Sequence, residues 1–457
     1  MQVNDLWKGK HVLVVGLARS GIAAAQLLVK HGAAVTVNDS KTREALGDAL
    51  IPLENLPVQW RLGCGAQELL PGQDTLVISP GIPDTAPFVV KAKKKGLHVI
   101  GELELAASLC PGTMVAVTGT NGKTTTVTLL GEIFKNAGKH AWTVGNIGFP
   151  YSQAALEATD DDVLVCECSS FQMETIETFH PKAAALLNIT EDHLNRHGTM
   201  EEYIRLKMRM FENMTQEDTA VFNLDDPLVA PLAATVRAHS IFFSRKKEPV
   251  EGAFVRDGMM VLRMNGLEEI VLPLNEIYIP GPHNVENALA AAAVAAAQHV
   301  PTSVIADTLR TFKGVEHRIE LTRELDGVRW YNDSKGTNVD STIRAVQTMD
   351  RPTVIILGGS DKHCDFTPLA KEMLASPAMR EAVLIGVTAN QIEDTLRRCG
   401  WERIHRAHSM EEAVQMCREI AKPGWNALLS PACASFDMFR DYEERGRVFK
   451  QLVADLA

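Results

Sequence analysis

The sequence predicts an α/β protein of three domains, and three observations lead to that prediction. Short apolar runs typical of buried strands alternate with helix-length patterns along the chain. A Gly-rich segment near position 120 joins such a strand to a helix, as phosphate-binding loops do. The chain has 457 residues, room for roughly three domains. We expect a Rossmann-like domain over 1–102, a central P-loop ATPase-type domain over 103–314 and a Rossmann-like C-terminal domain over 315–457.

The first domain opens with a βαβ unit. His11–Gly16 and Ala34–Asp39 are apolar runs that predict strands, and Gly21–His31 between them has helical spacing. A further strand, Thr75–Gly81, extends the unit into a doubly wound sheet.

The turn after the first strand is close to a dinucleotide-binding motif. Gly16-x-Ala18-x-x-Gly21 is followed by an acid, Asp39, about twenty residues on. The middle position of that motif is normally glycine, because pyrophosphate must approach the backbone there, and the Cβ of Ala18 obstructs that approach. A smaller or differently placed phosphate ligand fits better, with Asp39 or its neighbours near a ribose or base.

The central domain opens with the segment that carries most chemical information. Met114–Val117 predicts a buried strand and Val127–Phe134 a helix, with Thr118–Thr125 as the Gly-rich turn between them. Backbone N–H groups and the helix N-terminus then point at one spot, which suits phosphate oxygens. Lys123 would reach the β- and γ-phosphates, and Thr124 would hold Mg²⁺. The pattern departs from a strict Walker A motif only at Val117, where glycine is expected.

Two further polar positions of the central domain suit charge chemistry. Glu167 ends the predicted strand Asp162–Glu167, at the edge where α/β sheets place their sites. The loop Asn188–His197 offers carboxylates and imidazoles, although a capped turn before a helix explains it equally well. Lys207 lies on that helix among apolar residues, where a lysine is ordinarily solvated or snorkelling.

The third domain repeats the alternation of strands and helices. Its predicted strands are Thr353–Gly359, Ala382–Gly386 and Trp425–Ser430, and an Ala-rich helix from Val285 precedes the domain. Taken alone, Lys335 and Lys362 would be solvated surface charges.

Composition excludes several classes of function. Hydrophobic residues make up 46% and charged residues 23%, as in globular proteins, and the formal charge of −11 argues against an unspecific nucleic-acid binder. No apolar run approaches the ~20 residues of a membrane span. The eight cysteines contain no Cys-x-x-Cys pair, and the first residues lack signal-peptide order. A reduced cytoplasmic enzyme fits best.

Seven motifs in order resemble the ATP-dependent Mur ligases of peptidoglycan synthesis, over essentially the whole chain. They are Gly119–Thr125, Gly145–Gly148, Glu167–Gln172, Asn188–His193, Gly281–Asn287, His317-Arg318 and Asn332–Asn338. Ser430–Asp437 and Gly16-x-x-x-Ser20-Gly21 resemble the members that add D-glutamate.

The resemblance implies a reaction. ATP would phosphorylate the terminal carboxylate of UDP-N-acetylmuramoyl-L-alanine, and the amine of D-glutamate would attack the acyl phosphate. Two Mg²⁺ ions, or Mn²⁺, would assist. The resemblance further implies a monomer that neither binds nucleic acid nor inserts into a membrane, and whose third domain binds D-glutamate and closes over ATP.

The resemblance also implies roles for individual residues. The implied catalytic residues are Lys123, Glu167, His193 and Lys207. The implied metal ligands are Thr124, Glu167, His193 and Lys207, the last as a carbamate. The implied ATP contacts are Gly119, Thr120, Asn121, Gly122, Lys123, Thr124, Thr125, Asn284, Asn287, His317, Arg318, Asp333 and Lys335. The implied contacts to the two other substrates are Leu17, Ala18, Arg19, Ser20, Asp39, Ser40, Lys41, Ser79, Gly81, Asn146, Ser169, Gln172, Thr337, Lys362, Ser435, Phe436 and Tyr442.

Three other functions remain as alternatives. A dehydrogenase would bind nicotinamide, against which Ala18 argues. A non-catalytic nucleotide switch would keep Lys123 but would need neither Glu167 nor the third domain. A folylpolyglutamate synthetase shares the phosphate loop and glutamate chemistry, yet Ser430–Asp437 and the first domain fit it poorly.

Overall fold

The structure is a computed structural model that describes residues 6–360 and 364–456, and only the backbone of Asn195. Its strands form three sheets of five, nine and six strands, which confirms the α/β fold class. The chain divides into two compact units. One contains the residues up to Ile277 and Val285–Phe312, and the other contains Tyr278–Asn284 and the residues from Lys313 onward.

The first sheet is doubly wound and fully parallel, in the order β3-β2-β1-β4-β5. Its elements are β1 (His11–Val15), α1 (Arg19–Lys30), β2 (Ala34–Asp39), α2 (Arg43–Leu46), β3 (Gln59–Leu62), β4 (Thr75–Ile78), α3 (Pro87–Lys94) and β5 (His98–Gly101). Strand β4 ends three residues before the predicted Gly81, since Pro80 has no N–H for the ladder. Helix α1 begins two residues before the predicted Gly21.

The second sheet has the order β14-β13-β12-β11-β10-β9-β6-β8-β7. The elements of this region are α4 (Glu102–Leu109), β6 (Thr113–Thr118), α5 (Lys123–Asn136), β7 (Ala141–Gly145), α6 (Tyr151–Ala154), β8 (Val163–Glu167), β9 (Ala183–Leu186), α7 (Leu194–His197), α8 (Met200–Met208), β10 (Thr219–Asn223), β11 (His239–Ser244), β12 (Gly252–Arg256), β13 (Met259–Met264), β14 (Leu267–Pro273), α9 (Pro282–Ala297) and α10 (Thr302–Thr311). Strands β6 to β12 pair in parallel, and the predicted strand–loop–helix unit of β6 and α5 is confirmed.

The antiparallel strands β12 to β14 were not foreseen from the sequence. Strands β12 and β13 are joined by Asp257-Gly258 at φ of 51° and 74°, and β13 and β14 by Asn265-Gly266 at 52° and 78°. Both residues of a two-residue hairpin loop need positive φ, which Asx-Gly pairs adopt readily. These dipeptides were therefore an available signal for two hairpins.

The third sheet has the order β15-β16-β20-β17-β18-β19, parallel except for the edge strand β15. Its elements are β15 (Glu320–Leu325), β16 (Val328–Asn332), α11 (Val339–Thr348), β17 (Thr353–Leu357), α12 (Thr367–Ala375), β18 (Met379–Leu384), α13 (Ala389–Arg398), β19 (Ile404–Arg406), α14 (Met410–Ile420), β20 (Asn426–Leu429) and α15 (Tyr442–Asp455). The three predicted strands are present as β17, β18 and β20.

All eight cysteines are free thiols. Among the described residues, no helix combines the length and the apolar character needed to cross a membrane.

Candidate active site

The carboxyl ends of β6, β8 and β9 meet at one edge of the second sheet. Val117 of β6 is paired with Glu167 of β8 and with Ala185 of β9. The Thr118–Thr125 loop, the Glu167 carboxylate and the segment after β9 are therefore brought together by strand register alone.

In the Thr118–Thr125 loop, neighbouring residues leave no space for a side chain at Gly119 and Gly122. Gly122 adopts φ of +86° and caps helix α5, and a Cβ there would lie 2.3 Å from Asn287 Oδ1. A Cβ at Gly119 would lie 3.0 Å from the Leu187 Cβ. The loop thus keeps bare backbone at the start of α5, where N–H groups and the helix dipole favour an anion. This geometry fits the predicted phosphate cradle. Thr125 is buried in the first turn of α5.

The segment after β9 holds the loop in place. The Asn188 side chain accepts a hydrogen bond from Asn121 N at 2.8 Å and donates one to Asn121 O at 3.0 Å. Thr120 N donates to Asn188 O at 2.9 Å, and Thr190 N donates to Thr120 Oγ1 at 3.0 Å. The sequence indicated Asn188 and Thr190 only as members of a motif. Their role in fixing the loop emerges from these contacts.

Two lysines converge on one carbonyl oxygen of the loop. Lys123 Nζ donates to Gly119 O at 2.8 Å and Lys207 Nζ donates to the same oxygen at 2.9 Å. Lys123 Nζ also donates to Thr120 O at 2.8 Å. The Lys123 ammonium makes the local potential positive, which favours a bound anion.

Lys207 is buried, so the expectation of a solvated or snorkelling lysine is wrong. Its side chain packs over the Tyr203 ring, with Nζ 4.5 Å from the ring centroid, and the residue is only 1% exposed. Burial, together with the charge of Lys123, lowers the pKa of Lys207 well below its ordinary value. The helical pattern could not reveal this, because burial depends on what packs against α8.

The Glu167 carboxylate links the loop to a neighbouring strand end. Its Oε2 accepts a hydrogen bond from Thr124 Oγ1 at 2.9 Å, and its Oε1 accepts one from Asn146 Nδ2 at 2.9 Å. Glu167 is buried, while Asn146 is exposed. A carboxylate and a hydroxyl next to a phosphate cradle are the hard oxygen donors that Mg²⁺ prefers.

The residues present fit a magnesium ion that shares phosphate ligands. Within 6–360 and 364–456, no group of three or more His, Cys, Asp or Glu side chains could hold a metal by itself. Mg²⁺ usually binds through one or two carboxylates and completes its shell with water and substrate phosphates. Thr124 and Glu167 suit that mode of binding.

His193 lies close to the segment that follows Glu167. It precedes helix α7 with φ of 55°, and its ring lies 4.8 Å from the Phe171 ring. Nearby, Gln172 Oε1 accepts hydrogen bonds from Ser169 N and Ser169 Oγ, each at 3.0 Å.

In the first domain, the predicted substrate residues surround the β1–α1 turn. The Asp39 carboxylate accepts hydrogen bonds from Leu17 N at 2.8 Å and Lys41 N at 2.9 Å, so it holds two loops together. Ser79 Oγ donates to Gly16 O at 2.9 Å. Leu17 is buried in the domain core. The predicted substrate residues exposed here are Ala18, Arg19, Ser40, Lys41 and Gly81, and Ser20 is half-buried.

Arg19 extends from this turn toward the strand end that carries Asn146. Its guanidinium donates to Gly148 O at 3.0 Å. The predicted substrate residues of the first two sheets are thereby on neighbouring loops.

In the other compact unit, the motif residues around β16 form a buried polar cluster. Asn332 Nδ2 lies 2.8 Å from His317 Nδ1, and Asn332 Oδ1 accepts from Ser334 N at 3.1 Å. The Asp333 carboxylate accepts a hydrogen bond from Ser430 Oγ at 2.6 Å. Burial raises the pKa of Asp333 to about 6.

Arg445, which sequence reasoning missed, connects two of these motifs. It donates to Ser334 Oγ at 2.9 Å and Ser334 O at 2.8 Å, and to the carbonyls of Cys433 and Ala434 at 3.1 and 3.2 Å. It is 1% exposed, and burial lowers its pKa to about 10. It therefore fixes the segment before Ser435 against the segment that carries Lys335.

The remaining predicted residues of this unit lie near that cluster. Lys335 Nζ is 5.6 Å from the centroid of the Tyr442 ring, which is 6.4 Å from the His317 ring. Ser435 is buried, Thr337 is half-buried and Phe436 is 73% exposed. Lys362 lies outside the described residues.

Three further predicted nucleotide contacts, Arg318, Asn284 and Asn287, each have buried polar atoms. Arg318 has a buried Nε without a hydrogen-bond partner among the described residues. Asn284 donates to Pro280 O at 2.6 Å in the same unit. Asn287 belongs to the other unit, where its Oδ1 lies 3.4 Å from Thr126 Oγ1, next to the Thr118–Thr125 loop.

Three family matches cover most of the chain. Residues 10–101 match the N-terminal domain of MurD-like Mur ligases, 117–295 the Mur ligase middle domain, and 317–433 the glutamate ligase domain of Mur ligases.

Full-length relatives are similar throughout. The chain is 46% identical over 451 residues to the UDP-N-acetylmuramoylalanine–D-glutamate ligase of Thermoanaerobacter sp. (strain X514), covering 98% of this chain and 99% of that protein. The same enzyme of Caldanaerobacter subterraneus subsp. tengcongensis is 47% identical, and that of Clostridioides difficile (strain 630) is 45% identical, both with the same coverage.

Solved structures agree on the fold. The MurC ligase of Thermotoga maritima aligns with a TM-score of 0.61 at 20% identity, covering 97% of this chain and 99% of that chain. The MurF ligase of Thermotoga maritima in complex with ADP aligns with a TM-score of 0.60 at 16% identity, covering 100% and 97%. At such identities these likenesses bear on the fold alone.

Proposed function

Because this chain belongs to the Mur ligase family and catalyses the ATP-dependent addition of D-glutamate in peptidoglycan precursor synthesis, we propose that its reaction centre is the Thr118–Thr125 loop with Glu167. In this proposal, the γ-phosphoryl group of ATP passes to the terminal carboxylate of UDP-N-acetylmuramoyl-L-alanine. The amine of D-glutamate then attacks the acyl phosphate carbon. The tetrahedral intermediate collapses to an amide, releases phosphate and loses a proton.

The charge of the loop supports phosphoryl transfer. Each step moves or concentrates negative charge, so the reaction needs cations and oriented donors more than a covalent nucleophile. Lys123 lies on the loop itself, and its Nζ is 2.8 Å from each of two loop carbonyl oxygens, those of Gly119 and Thr120. We propose that Lys123 releases these carbonyls and turns to the phosphates when ATP binds, while the N–H groups at the start of α5 hold the β-phosphate.

We propose that Thr124, Glu167, His193 and Lys207 serve the magnesium ions. Thr124 and Glu167 are already in contact at 2.9 Å, beside the cradle. A bound Mg²⁺ would neutralise phosphate charge and polarise the transferred group. Lys207 would serve only as its carbamate, in which a neutral amine has taken up CO₂ and released a proton. Its burial and lowered pKa support that role, because they favour the neutral amine.

The sugar-nucleotide substrate would lie over the first sheet. The proposed contacts are the β1–α1 turn, Asp39 to Lys41, and Ser79 with Gly81. Asn146 is exposed next to Glu167, so it can reach the alanyl end of the substrate. The N-terminus of α1 offers N–H groups to the diphosphate, as helix N-termini commonly do.

D-Glutamate would be held by the glutamate ligase domain. The proposed contacts are Thr337, Lys362, Ser435, Phe436 and Tyr442. A dicarboxylate needs compensating cations and N–H donors in an acidic protein. The proposed nucleotide contacts of the same unit are His317, Arg318, Asp333 and Lys335. The buried Nε of Arg318, which has no hydrogen-bond partner among the described residues, supports this proposal.

The observation that carries the proposal is the convergence of Lys123, Lys207 and the Thr124–Glu167 pair on one loop. Phosphate release should require ATP, Mg²⁺, UDP-N-acetylmuramoyl-L-alanine and D-glutamate together, and should fall to background when any one is omitted. L-Glutamate should be a poor substrate, because an inverted stereocentre cannot place the amine and both carboxylates at once. Equal kcat/KM for both enantiomers would favour the folate-type alternative. NADH binding would favour a dehydrogenase.

A further inference from the structure

The side chain of Arg196, on helix α7, joins three segments that are distant in sequence. Its Nε and Nη2 donate to the two carboxylate oxygens of Glu174 at 2.9 and 2.6 Å. The same guanidinium faces three successive carbonyl oxygens, those of Pro80 and Gly81 at 3.4 and 3.5 Å from Nη1 and that of Ile82 at 3.4 Å from Nη2. Its Cζ lies 4.2 Å from the centroid of the Phe171 ring.

Each joined segment carries a residue of the proposed reaction. The carbonyls belong to the loop after β4, which contains Ser79 and Gly81. Phe171 and Glu174 lie in the segment after Glu167. Arg196 itself follows His193 by three residues, and the Phe171 ring contacts both the His193 ring at 4.8 Å and the guanidinium.

Aromatic contacts continue from this point to the phosphate loop. The Phe171 ring lies 5.2 Å from the His197 ring, which stacks on Tyr203 at 5.5 Å. The Tyr203 hydroxyl lies 3.2 Å from Thr120 Oγ1. The sugar-nucleotide loop of the first sheet is thus connected through Arg196 to the loop that holds phosphate.

Only a guanidinium can contact the Glu174 carboxylate, the three loop carbonyls and the Phe171 ring at the same time. The side chains of Arg196 and Glu174 are 17% and 9% exposed, so the pair is largely removed from water. The planar fork donates to a carboxylate bidentately, leaves donors for carbonyls and presents a flat face to an aromatic ring. A lysine ammonium keeps the charge but cannot hold this geometry.

We propose that Arg196 is a positioning residue that sets the Ser79–Ile82 loop against the His193 segment, and so places the acyl end of the sugar-nucleotide substrate at the phosphate loop. This inference rests on the proposed function of Ser79, Gly81 and His193. Arg196 touches no reacting atom in this role, since it acts through the loop carbonyls.

Arg196→Lys tests the proposal, with Arg209→Lys as the matched control. Arg209 donates to the carbonyls of Met173, Glu174 and Ile176 at 2.6, 3.0 and 2.6 Å and pairs with Glu212. It therefore makes the same kinds of contact as Arg196 with the same segment after Glu167, but these contacts stay within the region of the second sheet.

Arg196→Lys should raise the KM for UDP-N-acetylmuramoyl-L-alanine about tenfold, the equivalent of roughly 1.4 kcal/mol, and leave the KM for D-glutamate unchanged. Calorimetric titration with the same nucleotide, without ATP or magnesium, should show a matching rise in Kd. Arg209→Lys should change neither constant, even if its Tm falls by as much as that of Arg196→Lys. An unchanged nucleotide KM and Kd in Arg196→Lys, or an equal rise in Arg209→Lys, would overturn the proposal.

Two further measurements keep the test decisive. If Arg196→Lys does not fold, Glu174→Gln replaces it, because the amide keeps the shape but weakens the anchor of the guanidinium; the nucleotide KM should rise in the same direction, and an unchanged value counts against the proposal. The wild type is assayed in parallel. Wild-type failure to release phosphate with D-glutamate would refute the proposed function, whereas an active wild type with an unaffected Arg196→Lys would refute the positioning role alone.

Discussion

At the scale of single residues, the most unusual feature is that two ammonium groups share the carbonyl oxygen of Gly119, at 2.8 and 2.9 Å. Two ammonium groups that donate to the same oxygen repel each other, and burial strengthens the repulsion because the effective dielectric constant is low. The arrangement is relieved when an anion arrives or when one amine loses its proton. Both outcomes agree with the proposed binding of ATP phosphates and metal ions at this loop.

Lys123→Ala should lower kcat by ~10²-fold or more, because it removes a preorganised charge from the transferring phosphoryl group. The free energy of unfolding should change by no more than about 1 kcal/mol, since little core volume is lost and the repulsion with Lys207 disappears. Phosphate release at saturating ATP and a thermal melt measure the two effects. Lys135→Ala is the control, because Lys135 lies on the same helix in an exposed ion pair with Glu132. Wild-type turnover in Lys123→Ala would remove the loop from the mechanism.

Lys207→Ala should lose most activity and regain part of it in concentrated acetate. Acetate supplies the carboxylate that the proposed carbamate would provide, in the space vacated by the buried side chain. The measurement is phosphate release against acetate concentration. Lys207→Arg is the control, since arginine keeps the cation and cannot take up CO₂; it should stay inactive with or without acetate. Full activity in either variant would show that the carbamate is not required.

At the scale of elements, the central sheet builds its site by register, and a short segment then locks it. Strands β6, β8 and β9 end together because they pair in parallel, which puts Thr118, Glu167 and Leu186 at one edge. The segment after β9 then holds the Thr118–Thr125 loop through hydrogen bonds of Asn188 Oδ1 and Nδ2.

Asn188→Ala should lower the free energy of unfolding by about 2 kcal/mol, because it leaves the N–H and C=O groups of Asn121 without these partners. The KM for ATP should rise, since the loop is no longer fixed. Urea unfolding and the ATP dependence of phosphate release measure the two effects. Asn213→Ala is the control: Asn213 also donates to two carbonyls, those of Glu177 and Phe179 at 2.8 and 3.1 Å, but away from the loop. Equal ATP constants in the two variants would contradict a specific role for Asn188.

At the scale of the whole molecule, the third sheet and its helices have the features of an independently folding domain. All six of its strands lie between Glu320 and Leu429, and helices cover two apolar cores on its faces. The fragment 313–457 should therefore fold alone with native circular dichroism and a cooperative melt, and Trp330, buried in its core, can report unfolding by fluorescence. A fragment that remains unfolded would show that its stability depends on the rest of the chain.

The same fragment should show the effect of Asp333 on stability against pH. Burial raises the folded pKa of Asp333 from 3.8 to about 6. Between these values the folded state binds more protons than the unfolded state, so this carboxyl destabilises the fold as pH rises from 4 to 6. When pH falls from 7 to 4, the free energy of unfolding of the wild-type fragment should rise by up to about 3 kcal/mol relative to that of Asp333→Asn. Urea midpoints at several pH values measure the difference, and a pH-independent difference would contradict the assignment.

Local sequence was sufficient for the parts of this protein whose partners are near in the chain. The strand, Gly-rich turn and helix around Lys123 were predicted and are confirmed, because apolar periodicity and glycine act over a few residues. The same local reasoning could have found the hairpins at Asp257-Gly258 and Asn265-Gly266. The roles of individual site residues stay predictions, and Lys362 lies outside the described residues.

Tertiary structure decided the contacts between residues that the chain separates widely. Asn188 meets Asn121 across 67 positions, Lys207 meets Gly119 across 88, and Arg196 meets Pro80 across 116. The helix pattern alone favoured a solvated Lys207, and the residue is buried, since such a pattern shows which residues share a face but not what packs against it. Burial and hydrogen bonding between such distant positions depend on the folding of whole sheets. The residues next to a position in the sequence therefore do not predict them.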